Sequence, residues 1–145
     1  MKYLFTFGLF ALLQSCLMEP EKVTELSFEE QSDRAQSAKA FANTVHPLLK
    51  ASCAGCHGDS GSQAPKHSVS DYQSAHDAVV DTGRVNFQEP AKSRLVKRLS
   101  EDRHYCWGDC ASNASEMLDA IESWKKMSGG LGGVTGKITA SKKIS

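Results

Sequence analysis

The chain has 145 residues, 40% of them hydrophobic and 23% charged, the balance of a single globular domain rather than a disordered chain. Its 17 basic and 17 acidic side chains cancel, which argues against the basic footprint of a nucleic-acid binder. Five cysteines remain to be given a chemistry.

The first segment, "MKYLFTFGLFALLQSC", carries one positive charge at Lys2, an apolar run over 3–13, then small or polar residues. That is the layout of an export signal, and the run is too short for a permanent bilayer span. "LLQSC" resembles the lipobox of bacterial lipoproteins, which implies cleavage after residue 15 and acylation of Cys16. The expected product is an exported protein held by a lipid anchor at a membrane surface, on the periplasmic side or at the cell surface. Leu17 is not the aspartate associated with inner-membrane retention, which points to the outer membrane. Residues 16–30 are acidic, contain a proline and show no sustained period, so they read as a tether, with Met18 a linker residue.

Ala38, Phe41, Val45 and Leu48 then recur at helical steps. Pro47 interrupts them, so a break is expected at His46, with "PLLKASC" restarting as a short helix with proline in first position. "GDSGSQAPKHSVS" reads as a turn-rich loop. "SDYQSAHDAVV" predicts a short helix with Tyr72, Ala75 and Val79 on one face, and "EPAKSRLVKRL" another with Leu95, Val96 and Leu99 as its stripe. After the loop "SEDRHYCWGDCAS" comes the clearest helix. Asn113 and Glu116 fit a capping box, Met117, Ala120, Ile121, Trp124 and Met127 form the buried stripe, and Gly129 and Gly130 stop it. No period-two pattern long enough for a strand occurs in the domain, and residues 129–145 read as a flexible tail. The expected folded unit is small and all-α, over residues 31–128.

The chemistry centres on "SCAGCHGDSG", where Cys53 and Cys56 are followed directly by His57. A thioredoxin-like dithiol would need a strand before the motif, and a helical pattern stands there instead. A zinc cage could recruit Cys106 and Cys110, yet an exported pair at that spacing more readily closes a disulfide, and zinc leaves His57 without a role. Covalent haem uses every group: two thiols add to the two vinyl groups of one porphyrin edge, and the histidine ligates the iron. Cys16 then takes lipid, Cys53 and Cys56 take haem, and Cys106 pairs with Cys110.

"FANTVHPLLKASCAGCHG", "PAKSRLVKRL" and "AIESW" resemble small class I-type cytochrome c domains of bacterial exported proteins, over about residues 38–127. The resemblance implies an all-α fold around one covalent haem c, and transfer of single electrons between protein redox partners rather than catalysis. It also implies that a proline carbonyl, here Pro65, accepts the second N–H of His57. Family members place Met-Pro before the final helix, whereas this chain reads "RHYCWGDC". His104 is therefore the expected distal ligand, Met117 its rival, and an open site the third case. Arg84, Arg94 and Arg98 could pair with haem propionates. Trp107 and Trp124 are expected in the pocket or the core, and His46, His67 and His76 on the surface or in loops. Two other classes stay open: a haem-based sensor or ligand-binding module, and a zinc- or disulfide-held structural module without haem.

Overall fold

In the computed structural model, which describes residues 27–129, α1 (Phe28–Ala42) begins inside the stretch expected to be tether. The reason is local: Ser27 Oγ accepts the Glu30 N–H while the Glu30 carboxylate accepts the Ser27 N–H, a reciprocal capping box. The break expected at His46 falls earlier, at Asn43 and Thr44, where Asn43 caps α1 and Thr44 Oγ1 donates to the Ala40 carbonyl. Helix α2 (Val45–Ser52) thus holds Pro47 in its third position, not its first. The first turn of a helix has no partner for its N–H groups, so the missing donor costs nothing there.

The short helix α3 (Ala54–His57) follows, then α4 (Tyr72–Asp81), capped by Asp71, whose carboxylate accepts the Ser74 N–H. Pro90 opens a separate 3-10 turn, Pro90–Lys92, ahead of α5 (Arg94–Ser100). The last helix, α6 (Cys110–Met127), starts three residues before the expected cap. Asp109 accepts the Ser112 N–H and so caps it, Glu116 accepts the Trp107 indole N–H instead of closing a box, and Asn113 is buried within the helix. The described residues contain no β-strand, so this part of the molecule is all-α.

Helix α6 packs against α1, α2 and α5, and α4 lies along α1. Phe41, Val45, Leu49, Val79, Met117, Ile121 and Trp124 form the fully buried centre, with Leu95, Val96 and Leu99 closing it from α5. Trp124 packs against Phe41 and Phe87 at ring separations of 4.9 and 4.6 Å. Tyr72 and Met127 were expected on buried stripes and are exposed, because each sits at a helix end beyond the neighbouring helices.

The three histidines expected on the surface or in loops are all buried: His67 does lie in the loop between α3 and α4, whereas His46 and His76 lie within α2 and α4. His46 Nε2–H donates to the Val69 carbonyl at 2.8 Å, and His67 Nδ1 bonds Ser68 Oγ at 2.9 Å. His76 joins three helices: Asp77, an acceptor only, takes its Nδ1–H at 2.9 Å, which leaves Nε2 to accept from Ser37 Oγ at 3.1 Å. Ser37 also receives the Trp124 indole N–H, on its carbonyl and its hydroxyl, while Arg34 bridges Asp77 and Asp81. Buried polar groups persist when each finds partners, and these come both from the adjacent residue, Ser68 and Asp77, and from other elements, Val69 and Ser37.

Candidate functional site

Cys53 sits at the joint of α2 and α3, its N–H donating to Leu49 O at 2.8 Å and its carbonyl accepting from His57 N at 2.9 Å. One helical turn therefore carries Cys53, Cys56 and His57, and all three line one cavity. The chain must then reverse tightly. A Cβ at Gly58 would run into the Ala54 carbonyl, and one at Gly61 into the Cys56 carbonyl, so both positions require glycine. Lys66 Nζ donates to the carbonyls of Gly58 and Gly61, and Asp59 accepts from Ser70 N–H and Oγ. These bonds wrap residues 58–71 around α3.

The wrap delivers the Pro65 carbonyl to His57, whose Nδ1–H donates to it at 2.9 Å, as the cytochrome resemblance implies. That bond fixes the tautomer, so His57 Nε2 carries a free lone pair suited to a metal. His67 stacks on the His57 ring at 4.2 Å with planes 26° apart. Burial first, then the neighbouring His57 and Arg84, push the His67 imidazole down to about 4.

The opposite wall comes from α5, from residues 101–109 and from α6: Leu95, Leu99, His104, Tyr105, Trp107 and Met117. His104 faces His57 with ring centroids 6.4 Å apart. An ion taking one nitrogen from each of two imidazoles at ~2 Å holds their centroids roughly 6 Å apart, so the two rings would be spaced to hold one ion between them. His104 N–H donates to the Arg98 carbonyl at 2.8 Å, and the Arg98 guanidinium lies 3.3 Å from His104 Nδ1. Arginine has only donors, so Nδ1 accepts in this arrangement, and ligation through Nε2 requires Arg98 to withdraw. Burial, then the Arg98 charge, hold the His104 imidazole below the ordinary histidine range.

Met117, the rival ligand, also reaches the cavity wall while its side chain packs in the core. Arg94 and Arg98 line the cavity with their guanidinium groups on Asp102, at 3.1 and 2.9 Å, and Arg84 stands beside them in the lining. Of the two tryptophans, Trp107 lines the cavity and Trp124 belongs to the core. The cavity encloses about 200 Å³ and opens to solvent. That is below the ~300 Å³ at which ligand pockets usually begin, so a porphyrin would fit only with the cavity walls moved apart or much of the macrocycle outside.

The donor set fits haem better than the alternatives. Cys106 and Cys110 stand at disulfide distance, which withdraws them from a four-thiolate zinc cage. Among the described residues no group of three or more His, Cys, Asp or Glu side chains is placed to hold an ion. Haem iron asks the protein for only two ligands, since the macrocycle supplies the other four. Burial, then the neighbouring Cys56, push the Cys53 thiol up to about 11, so it rests as a neutral thiol rather than the thiolate a redox dithiol needs.

Ser37, His76 and Asp77 stand in the order of a nucleophile, base and orienting acid. Ser37 Oγ is buried and already accepts the Trp124 indole N–H, so this set ties helices together in the core. Cys16, expected to be acylated, the expected signal segment, most of the expected tether and the expected tail beyond Gly129 lie outside the described residues. No helix among the described residues is long and apolar enough to cross a membrane. Comparison with protein-family models, curated proteins and solved structures found no match for the chain.

Proposed function

We propose that the protein is a mono-haem c-type cytochrome of class I type, exported and lipid-anchored through Cys16, that carries single electrons between redox proteins. The observation that carries this reading is the convergence of Cys53, Cys56 and His57 on one cavity, with His57 oriented by Pro65 at 2.9 Å and His104 facing it. When bound, haem supplies an iron that cycles between two oxidation states.

Every other part of the task falls to the chain. The Cys53 and Cys56 thiols hold the macrocycle by adding S–H across its vinyl groups. The Pro65 carbonyl orients His57 and raises its basicity, and the stacked, uncharged His67 shields that ring from water. Leu49, Leu95, Leu99 and Met117 keep the interior apolar, while Tyr105 and Trp107 flank the open side, where a partner could approach. Two histidine ligands favour a lower potential than a histidine–methionine pair.

One observation favours a second reading, a module that binds a small ligand at the iron. The Arg98 guanidinium at His104 Nδ1 opposes ligation by that ring, which would make the distal position exchangeable.

The test is expression of the full chain in a cell that attaches haem, followed by denaturing electrophoresis with a haem stain and a potentiometric titration. Stain that survives boiling, its loss in Cys53→Ala/Cys56→Ala, and a one-electron transition are expected. An unstained native chain contradicts the proposal, and rapid carbon monoxide binding to the reduced protein favours the ligand-binding reading.

A further inference from the structure

His104 is held in an unusual way. The residues on both sides of it, Arg103 and Tyr105, adopt left-handed backbone with φ of 50° and 44°. Neither is glycine, and residues with a Cβ avoid this region because the side chain crowds the backbone carbonyl. Such conformations persist only where the surroundings impose them. The two side chains do not impose it, for Arg103 is exposed and Tyr105 is 79% exposed. The segment is held by the Arg98 carbonyl, which accepts the His104 N–H, by the Arg98 guanidinium at His104 Nδ1, by Asp102 on Arg94 and Arg98, and by the bond from Cys106 to Cys110 immediately beyond. The bridge ties the end of the strained stretch to the first residue of α6, and Trp107 Nε1–H to Glu116 and the Asp109 cap on Ser112 N–H supplement it.

We infer that the Cys106–Cys110 disulfide is a thiol-sensitive latch that keeps His104 in the cavity, and that its reduction releases the 101–109 segment and opens the distal side. Both cysteines are partly exposed, so a dithiol can reach them. Attack by one of its thiolates forms a mixed disulfide, and its second thiol completes the exchange. Two electrons and two protons pass to Cys106 and Cys110, which become thiols, and the donor leaves as its own disulfide. With the tie gone, Arg103 and Tyr105 relax toward negative φ, and the rotation of both peptide units swings His104 away from His57. The latch gates the site without touching Cys53, Cys56 or His57. Its role toward iron rests on the electron-carrier reading, whereas the loop movement itself does not.

The test uses the full chain in two states: with the disulfide intact, and after reduction with a phosphine and alkylation of the two thiols. Cys106→Ser/Cys110→Ser is the genetic counterpart, and far-UV circular dichroism checks its fold. If that variant does not fold, the alkylated native chain carries the comparison. Opening of the loop should speed tryptic cleavage after Arg103 at least roughly tenfold, a coupling of ordinary size between a switch and its site. In the haem-bearing protein it should tighten binding of added imidazole to the oxidised iron by a similar factor and raise the high-spin signature. Cleavage and imidazole affinity that stay within about twofold on opening the bridge overturn the latch and leave the electron-carrier reading intact. A chain that takes no haem defeats that reading instead, and the cleavage rate of Cys106→Ser/Cys110→Ser, compared with the unreduced native chain, still decides whether the latch exists.

Discussion

The two ends of α6 meet two differently built halves of the molecule. Around Trp124, at the C-terminal end, three helices converge and the polar groups of the junction are partnered: the indole with Ser37, Ser37 with His76, His76 with Asp77, and Asp77 with Arg34. Around Cys110, at the N-terminal end, the wall is loop, with left-handed backbone at Arg103 and Tyr105, exposed aromatic rings at Tyr105 and Trp107, and one buried oxygen, Asn113 Oδ1, without a partner among the described residues. Regions with few satisfied contacts open at lower free energy than the core that carries them. The helix junction therefore carries the stability, and the loop side, where His57 and His104 face each other, carries the adjustable parts.

If that division is right, the largest loss of stability comes from the junction. Trp124→Ala should cost ~3–5 kcal/mol in denaturant unfolding, much of the stability of a small domain. A loss under ~1 kcal/mol would mean that the three helices do not depend on one another there.

The next effect belongs to the cavity. The unfolded chain takes a proton on His67 near pH 6.5, whereas the folded chain refuses it until about 4. Stability is then whole above that upper value and falls as the pH drops toward the lower one, by at most roughly 3 kcal/mol. Urea titrations across this window should show the slope, and His67→Leu should flatten most of it. The remainder has the same sign and belongs to His76 and His104, which burial also holds below their ordinary range.

A smaller cost is expected from Cys106→Ser/Cys110→Ser. A loop this short removes about 2 kcal/mol of chain entropy from the unfolded state, read as a lower melting temperature with the helix content unchanged. Smallest is Asn113→Leu, which should gain about 1 kcal/mol by removing the buried oxygen that finds no partner. A loss there would show that Asn113 is satisfied by a group brought into the site.

The legible parts of the molecule are those set by short-range geometry. Cys53, Cys56 and His57 could be read from five residues because one helical turn places all three, and Leu95, Val96 and Leu99 from their spacing alone. Pro65 was available only through the resemblance, since its bond to His57 depends on a loop folding back. Ser27 and Glu30 were readable in principle, as a capping box, but an acidic stretch with a proline masked them. Burial of His46, His67 and His76 was not legible. His76 shares the helical face of Tyr72 and Val79, so its position alone was compatible with burial, whereas His67 lies in a loop with no period to read; their partners Val69, Ser68, Ser37 and Asp77 emerge only from the fold. The left-handed backbone beside His104 left no mark in composition, because neither residue is glycine.

The account stands on covalent attachment, and peptide-resolved mass spectrometry of the full chain, made in a cell with haem-attachment machinery and treated with an alkylating agent, addresses it most directly. The account predicts that the fragment containing Cys53, Cys56 and His57 carries one porphyrin and that neither of its cysteines is alkylated. The same fragment without porphyrin, alkylated at both cysteines, would contradict it.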